Sequence, residues 1–175
     1  MASDIKIIHK AKQGNKRAFA KIIDKYQDPI LYLAFDYLGN YEEAKDAAQE
    51  TFIKTFENLQ TFNQKSGFKT WLYRIAINTC LDNLRKRKKM QEIKMEIDKT
   101  YKDDDDIMDF VLDDTFYDAL QTLTEKQYTA IIMKYFHEKS TKEISDIMEC
   151  DIDTVRTHQH RAIQKIRNFY QQVNK

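Results

Sequence analysis

The sequence has only three glycines and one proline among 175 residues, and so few turn-forming residues leave little room for an all-β fold. Leu, Ala, Lys, Glu and Ile recur at helical spacing instead, which predicts an all-α protein. The chain has two cysteines, Cys80 and Cys150, which lie far apart and match no metal-ligand spacing. We therefore expect no metal site and a reducing environment.

Long apolar runs are missing as well. The first four residues, Met1–Asp4, form no apolar signal segment, and no window is long and apolar enough to span a bilayer. These absences predict a soluble cytoplasmic protein that does not insert into a membrane. The sequence also has no phosphate-binding loop, no zinc spacing and no Ser–His–Asp order, so we expect no enzymatic activity and no cofactor.

Charge is abundant but unevenly distributed. About a third of the residues are charged, yet the formal net charge is only +1. Five cations follow one another in Arg85–Lys89, whereas Asp103–Asp106 lies within an acidic segment. The near-neutral total therefore does not argue against a nucleic-acid partner.

Helical periodicity divides the chain into three parts. Residues 5–95 form one set of helices, residues 96–113 an acidic linker, and residues 114–172 a second, smaller set. The linker has no periodic apolar pattern, so we expect it to be solvated and mobile. The sequence leaves two alternatives for this linker equally open, a plain spacer and a segment with an active role. The predicted architecture is two small helical domains joined by this linker.

Two helices precede a loop at residues 61–67. Lys16–Tyr37 carries an apolar stripe that Pro29 interrupts, which predicts a kink or a split into two helices. Gly39 and Asn40 predict a C-terminal cap. A second helix, Tyr41–Leu59, has an apolar face formed by Ala44, Ala47, Ala48, Phe52, Phe56 and Leu59.

A long helix is predicted from Phe68 to about Lys94, apolar on one half, with Cys80 at the centre of that half. Its other half carries a narrow arc of one aromatic, two cations, an amide and a carboxylate: Trp71, Arg74, Asn78, Asp82 and Arg85. Such an arc is typical of a helix laid against nucleic acid. The cations neutralise phosphates, the amide meets base edges, and Trp71 and Phe68 stack on exposed bases. A solvated helix face with Arg–Asp pairs is the open alternative.

The most informative pattern lies near the end of the chain. Residues 141–148 and 151–162 indicate two helices joined by a tight turn, as in a DNA-reading helix-turn-helix. Asp151 is well placed to cap the second helix, and Gln159 falls inside its apolar arc. The opposite side presents polar and basic residues: Asp153, Thr154, Thr157, His160, Arg161 and Gln164, flanked by Arg156 and His158.

The N-terminal half of such a helix reaches base edges in the major groove. We expect Arg161 to make a bidentate contact with guanine, and Arg156 to do the same or to bind phosphate. Thr157 and His160 meet either bases or backbone. Asp153 accepts from a cytosine amine or orients Arg156 or Thr157. A simple helical hairpin is the alternative for the whole unit.

Three segments, in this order, resemble the sigma-70 family of bacterial transcription initiation factors, in its extracytoplasmic-function group. Residues 44–52 resemble the motif that docks on the polymerase clamp. Residues 68–78, with Asp82 and Arg85, resemble the promoter-melting and −10 segment. Glu143 and Ile144, with residues 154–157 and 160–162, resemble the −35-reading helix-turn-helix. The resemblance covers nearly the whole chain.

The resemblance implies a factor that binds bacterial core RNA polymerase, directs it to promoters and helps to melt the DNA. The implied polymerase contacts are with the β flap and with the β′ clamp, the latter through Asp46, Gln49, Glu50 and Phe52. The implied −10 residues are Lys65, Phe68, Trp71, Arg74, Asn78, Asp82 and Arg85. The implied −35 residues are Asp153, Thr154, Arg156, Thr157, His160 and Arg161. An anti-sigma factor is a further expected partner.

Three positions depart from the family pattern. Glu149 stands where the turn usually has a small residue, which implies strain. Gln159 replaces a usual apolar residue, and His158 stands where arginine is frequent. Two other functions remain open on the residues alone. One is a stand-alone helix-turn-helix regulator that dimerises through its first domain, and the other is a structural or adaptor protein.

Overall fold

The computed structural model describes residues 2–63, 66–97 and 114–173, and its regular elements within these ranges are helical. The all-α prediction is thus confirmed. The chain divides into two compact units, Met1–Ile107 and Met108–Lys175. The boundary falls within the predicted linker, and the expectations for that segment from residue 98 onward lie outside the described residues. Among the helices that the structure describes, none combines the length and apolarity needed to cross a membrane.

The first unit contains α1 (Ala2–Lys12), α2 (Lys16–Leu38), α3 (Tyr41–Glu57) and α4 (Phe68–Ile97), with a 3₁₀ turn at Leu59–Thr61. Helix α1 was not predicted as a separate element. Of the kink or split predicted at Pro29, the split is wrong, because α2 continues through Pro29. Tyr26 before the proline and Ile30 after it are both buried, so tertiary packing keeps the two halves in one helix.

Two residues, Gly39 and Asn40, make the turn between α2 and α3. Gly39 has φ 69° and donates its N–H to the Phe35 carbonyl at 2.9 Å. The side chain of Asn40 accepts the N–H of Glu43 at 3.0 Å and so caps α3. The predicted cap is confirmed. The turn joins two helices with a glycine where the left-handed conformation requires one.

The core of the first unit joins α2, α3 and α4 and includes three threonines that the hydrophobic pattern did not predict. Thr51, Thr55 and Thr79 are at most 1% exposed. The hydroxyl of Thr51 donates to the Ala47 carbonyl, and that of Thr55 to the Thr51 carbonyl, each at 2.7 Å. Each of these two hydroxyls is satisfied within its own helix, so the methyl group packs like an apolar side chain.

The second unit contains α5 (Asp114–Gln121), α6 (Glu125–Tyr135), α7 (Thr141–Met148) and α8 (Ile152–Val173). Thr124 with Gln127, and Ser140 with Glu143, form capping boxes that begin α6 and α7. Helix α8 packs against the other three helices. Its apolar side is anchored by Val155 and Ala162, which are both 0% exposed. The opposite side of α8 is therefore left to solvent.

Candidate nucleic-acid interface

The predicted polar arc of α4 lies on the outer side of that helix. Asn78 and Arg85 are exposed, while Trp71, Arg74 and Asp82 are half-buried. The other side of α4 is held in the core by three residues that are each 0% exposed: Leu72, Ala76 and Cys80. Because the buried side fixes the rotation of the helix, the arc is presented as one continuous outward strip.

A cluster of aromatic rings supports Trp71 at the beginning of α4. The Trp71 ring lies 5.2 Å from the Phe62 ring and 5.7 Å from the Phe68 ring, and Phe68 lies 5.9 Å from Tyr26. Phe68 is only 7% exposed. The expectation that Phe68 stacks on bases therefore needs correction, because its ring packs inside the unit. Lys65, the other loop residue expected at this site, lies outside the described residues.

The cations at the end of this strip differ in their surroundings. Arg85 is paired with Asp82 at 2.9 Å, and both side chains are about half exposed. Arg87 instead donates to the Leu38 carbonyl at 3.2 Å and lies 3.4 Å from the Glu43 carboxylate. Arg87 therefore ties α4 to the corner between α2 and α3, whereas the exposed Arg85 faces the solvent on the side of the arc.

Helix α3 presents an outward stripe of four exposed residues: Asp46, Gln49, Ile53 and Phe56. Ile53 is 59% exposed and Phe56 47% exposed. Ile53 was not predicted at this site, and the placement of Phe56 on the apolar face needs correction, because both share the helical spacing of the exposed Asp46 and Gln49. Phe52, expected at the polymerase contact, is 8% exposed. The expectation that Phe52 contacts polymerase therefore needs correction, because this ring lies on the buried side of α3.

Glu50 lies at the border between α3 and α4. Its carboxylate is 2.9 Å from the Lys54 ammonium, which also donates to the Thr79 hydroxyl at 3.3 Å. The hydrogen bond from Lys54 is the main reason why the pKa of Glu50 is lowered, although partial burial opposes the shift. The charges of Lys54 and Lys86 and a hydrogen bond from Asn83 lower it further. Glu50 thus stays ionised and links the two helices.

The turn between α7 and α8 has the geometry of a helix-turn-helix. Glu149 has φ 53° and ψ 43° and donates its N–H to the Ser145 carbonyl, so the expected strained turn is present. Asp151 caps α8 by accepting the backbone N–H of Thr154 at 2.7 Å and its hydroxyl at 2.9 Å. These two bonds lower the pKa of Asp151, the backbone one most. Thr154 is therefore engaged in the cap.

The exposed face of α8 carries the residues that the sequence predicted for it. Asp153, Arg156, Thr157, His160 and Arg161 are all exposed. The guanidinium of Arg156 lies 2.9 Å from the Asp153 carboxylate, and the Thr157 hydroxyl donates to the Asp153 carbonyl at 2.9 Å. The Asp153 carboxylate thus orients Arg156, whereas the Thr157 hydroxyl is held by the backbone of residue 153. Within the described part of the chain, Arg161 makes no hydrogen bond or ion pair.

Two residues on the inner side of α8 are less favourably placed. His158 is half-buried, and burial, followed by the charges of Lys126 and Arg161, lowers its pKa. Gln159 is half-buried, and its side-chain nitrogen is buried without a partner among the described residues. A buried amide without a hydrogen bond destabilises the fold. Gln159 therefore weakens the packing behind the exposed face.

Comparison with known proteins relates both units to characterised families. A family model described as "Sigma-70 region 2" matches residues 22–90, and one described as "Sigma-70, region 4" matches residues 113–166. The chain is 35% identical to "ECF RNA polymerase sigma factor SigW" of Bacillus subtilis, over 93% of this chain and 94% of that protein.

The fold is also found in solved structures. "Structure of CnrH in complex with the cytosolic domain of CnrY" has a TM-score of 0.69 and 18% identity, over 98% of both chains. A sigma factor RpoE from Bartonella quintana, solved with the anti-sigma factor NepR, has a TM-score of 0.64 and 22% identity, over 87% of this chain and 96% of that chain. At these identities the likeness concerns the fold.

Proposed function

Since this chain belongs to the extracytoplasmic-function group of the sigma-70 family, whose members direct RNA polymerase to promoters, we propose that its two helical units divide promoter recognition between them. The chain is a transcription initiation factor rather than an enzyme. We assign residues 5–95 to polymerase and −10 binding, residues 114–172 to −35 binding, and residues 96–113 to a linker. The main support is that α4 and α8 each carry exposed cations and hydrogen-bonding groups opposite a buried face.

We assign the −10 element to the outward strip of α4. The accessible side of Trp71 stacks on an unpaired base, an interaction worth about 1–3 kcal/mol. Arg74 and Arg85 bind phosphates, and Asn78 bonds to a base edge. The Asp82 carboxylate holds the Arg85 guanidinium until a DNA phosphate takes the place of the carboxylate. Stacking of this size offsets the few kcal/mol that extrusion of one base costs.

Two further residues were expected at the −10 site, namely Phe68 and Lys65. Phe68 supports Trp71 from the core, because its ring is buried against Phe62 and Trp71. Lys65 is assigned to the same DNA strand from the sequence alone.

The −35 element belongs to the N-terminal half of α8. Arg161 is exposed and unengaged, so it is the best candidate for a bidentate contact with guanine. Arg156, held by Asp153, contacts either a base or a phosphate, and Thr157 and His160 line the same face. Thr154 contributes through the cap that fixes the beginning of the helix.

Core polymerase binds the outward stripe of α3. Asp46 and Gln49 supply the polar contacts with the β′ clamp, and the exposed Ile53 and Phe56 supply apolar area on the same face. Phe52 packs in the core beneath this stripe, and Glu50 adds a polymerase contact at the border of the stripe. The second unit contacts the β flap. Aromatic and aliphatic side chains that are exposed next to polar ones are typical of protein interfaces.

We also propose that an anti-sigma factor binds this chain and regulates it. A similar fold, the sigma factor RpoE of Bartonella quintana, was solved with the anti-sigma factor NepR. A protein of that class would sequester this chain by covering surfaces that core polymerase and promoter DNA require. The chain acts in the cytoplasm, where the polymerase is.

Run-off transcription with purified bacterial core polymerase on a genomic library tests the proposal. We expect RNA chains that start at defined promoters and depend on this protein. Trp71→Ala and Arg161→Ala should each reduce the yield. A stand-alone regulator predicts the opposite behaviour, namely a dimer that binds duplex DNA tightly without polymerase. Absence of core binding, or of any transcript on any template, would overturn the proposal.

A further inference from the structure

We propose that Lys12, the last residue of α1, is a positioning residue that holds Trp71 ready for the unpaired −10 strand by fixing Phe62. The inference rests on the proposed stacking role of Trp71. It assigns α1 a part in promoter opening, although the "Sigma-70 region 2" match begins only at residue 22.

Reciprocal contacts join the end of α1 to the segment before α4. The Lys12 ammonium donates to the Phe62 carbonyl at 2.6 Å and lies 6.0 Å from the centre of the Phe62 ring. In the other direction, the side-chain amide of Gln60 donates to the Lys12 carbonyl. Lys12 is half-buried, so its charge is partly shielded from water. These contacts hold Phe62 by its backbone and its ring together.

Phe62 passes this restraint on to Trp71. It is 4% exposed, and its ring lies 5.2 Å from Trp71 and 5.4 Å from Phe68. Close-packed rings do not move independently, because a shift of one opens a void or a clash beside the next. Trp71 is half-buried, with part of its ring resting on this cluster and the rest accessible. The position of Phe62 therefore sets the orientation of the accessible part.

The contact with the Phe62 carbonyl requires a charged hydrogen-bond donor at position 12. Methionine fills nearly the same volume as the lysine stem but cannot donate to the Phe62 carbonyl, whereas arginine can. Lys12→Met should thus release Phe62, and Lys12→Arg should largely keep it in place. Lys10→Met is the matched control. It removes a lysine from the same last turn of α1, where the side chain is exposed.

Trp71 is the only tryptophan in the chain, so its fluorescence reports on this cluster directly. In the protein without DNA, we expect Lys12→Met to shift the Trp71 emission to longer wavelength and to increase quenching by acrylamide. With core polymerase, the same variant should open promoters about fivefold more slowly, as partial loss of one base stack would cause. Lys12→Arg should restore both readouts, and Lys10→Met should match the wild type.

Two further variants, Gln60→Ala and Trp71→Ala, test the role of Lys12 separately from protein folding and from base stacking. If Lys12→Met does not fold, Gln60→Ala breaks the reciprocal contact and should show the same fluorescence shift. Trp71→Ala separates the two proposals. If it opens promoters at the wild-type rate, the stacking role fails, while the fluorescence of Lys12→Met still decides whether Lys12 positions Trp71. Unchanged Trp71 emission and quenching in the folded Lys12→Met and Gln60→Ala proteins would overturn the inference.

Discussion

The guanidinium of Arg156 lies 2.9 Å from the carboxylate of Asp153, one turn earlier on α8, so a cation of the exposed face is already held by an anion. Both side chains are largely exposed, at 68% and 88%. A pair of this kind adds little to stability. Its consequence is geometric, because it fixes the orientation of the Arg156 guanidinium in the protein by itself.

Replacement of Asp153 by asparagine tests that orientation. Asp153→Asn removes a negative charge from the face that we propose to meet phosphates, so we expect about two- to fivefold tighter holoenzyme binding to promoter DNA at low salt. Arg156 loses its ionic partner, so discrimination between −35 sequences should fall. Binding to a −35 library across a salt series measures both effects. Asp118→Asn removes the same charge from the exposed side of α5 and serves as the control. Equal behaviour of the two variants would contradict an orienting role.

Arg161→Ala should weaken promoter binding by about 1–3 kcal/mol and relax the preference at one −35 position, as expected for loss of a bidentate guanine contact. Competition binding of the holoenzyme against single-base −35 variants measures this. Arg167→Ala, an exposed arginine further along α8, should have a smaller effect that is equal for all sequences. If Arg161→Ala also weakens all sequences equally, Arg161 binds phosphate rather than a base.

Asn78→Ala should impair promoter opening more than duplex binding. Its side chain is exposed on the strip of α4 and has the groups to bond to an unpaired base edge. Permanganate footprinting of the open bubble, compared with holoenzyme binding to duplex promoter, separates the two steps. Gln49→Ala is a useful contrast, since we expect it to weaken association with core polymerase instead. A loss of duplex binding that matches the loss of opening would argue against strand capture by Asn78.

Gln159→Leu should stabilise the second unit by about 1–2 kcal/mol, because it removes a buried amide nitrogen that has no partner in the described structure. Thermal or urea unfolding of the full chain, followed by a probe in the second unit, provides the measurement. Gln164→Leu places the same substitution at an exposed position of α8 and should give little or no gain. A similar gain from both variants would attribute the effect to helix propensity.

The thiol of Cys80 should make the stability of the first unit depend on alkaline pH. Burial raises its pKa from 9.0 to about 12. The unfolded chain therefore releases this proton at lower pH than the folded one does. The contribution of Cys80 is complete below pH 9 and declines as the pH rises toward the folded pKa, by about 1.4 kcal/mol per pH unit.

The comparison of wild type with Cys80→Ala isolates this effect. The difference in unfolding free energy between them should be constant below about pH 8.5 and shrink above pH 9. Cys150, half-buried with a smaller rise in pKa, provides the contrast, and Cys150→Ala should change the pH profile less. A Cys80→Ala difference that stays constant up to about pH 10.5 would show that the thiol ionises equally in both states.

Much of the fold was predictable because helical periodicity and caps are local properties of the chain. The Gly39–Asn40 turn and the Asp151 cap each satisfy backbone groups within a few residues, so the sequence alone indicates them. The buried threonines were not predictable in this way. Thr51 and Thr55 count as polar in a pattern, and only their hydrogen bonds to the preceding turn let them pack in the core.

The candidate sites show the same division. Residue types and spacing predicted the strips on α4 and α8, because a helix places every third or fourth residue on one face. Spacing placed both Phe52 and Phe56 on the apolar face of α3, but only Phe52 is buried, whereas Phe56, near the border of that face, is 47% exposed. Spacing did not indicate that Phe68 is buried. The neighbouring helices decide on which side of that border such a residue falls.

The sequence by itself determined that this chain is all-helical and that it has two helical parts, and it predicted polar and basic outer faces on α4 and α8. These properties follow from periodicity, capping and residue chemistry, which act over a few turns. Only the tertiary structure decided that Lys12 contacts Phe62, that Arg87 closes the corner at Leu38 and that Glu50 joins α3 to α4. Such contacts join residues that are distant in sequence, and the packing of whole helices, rather than any local pattern, brings them together.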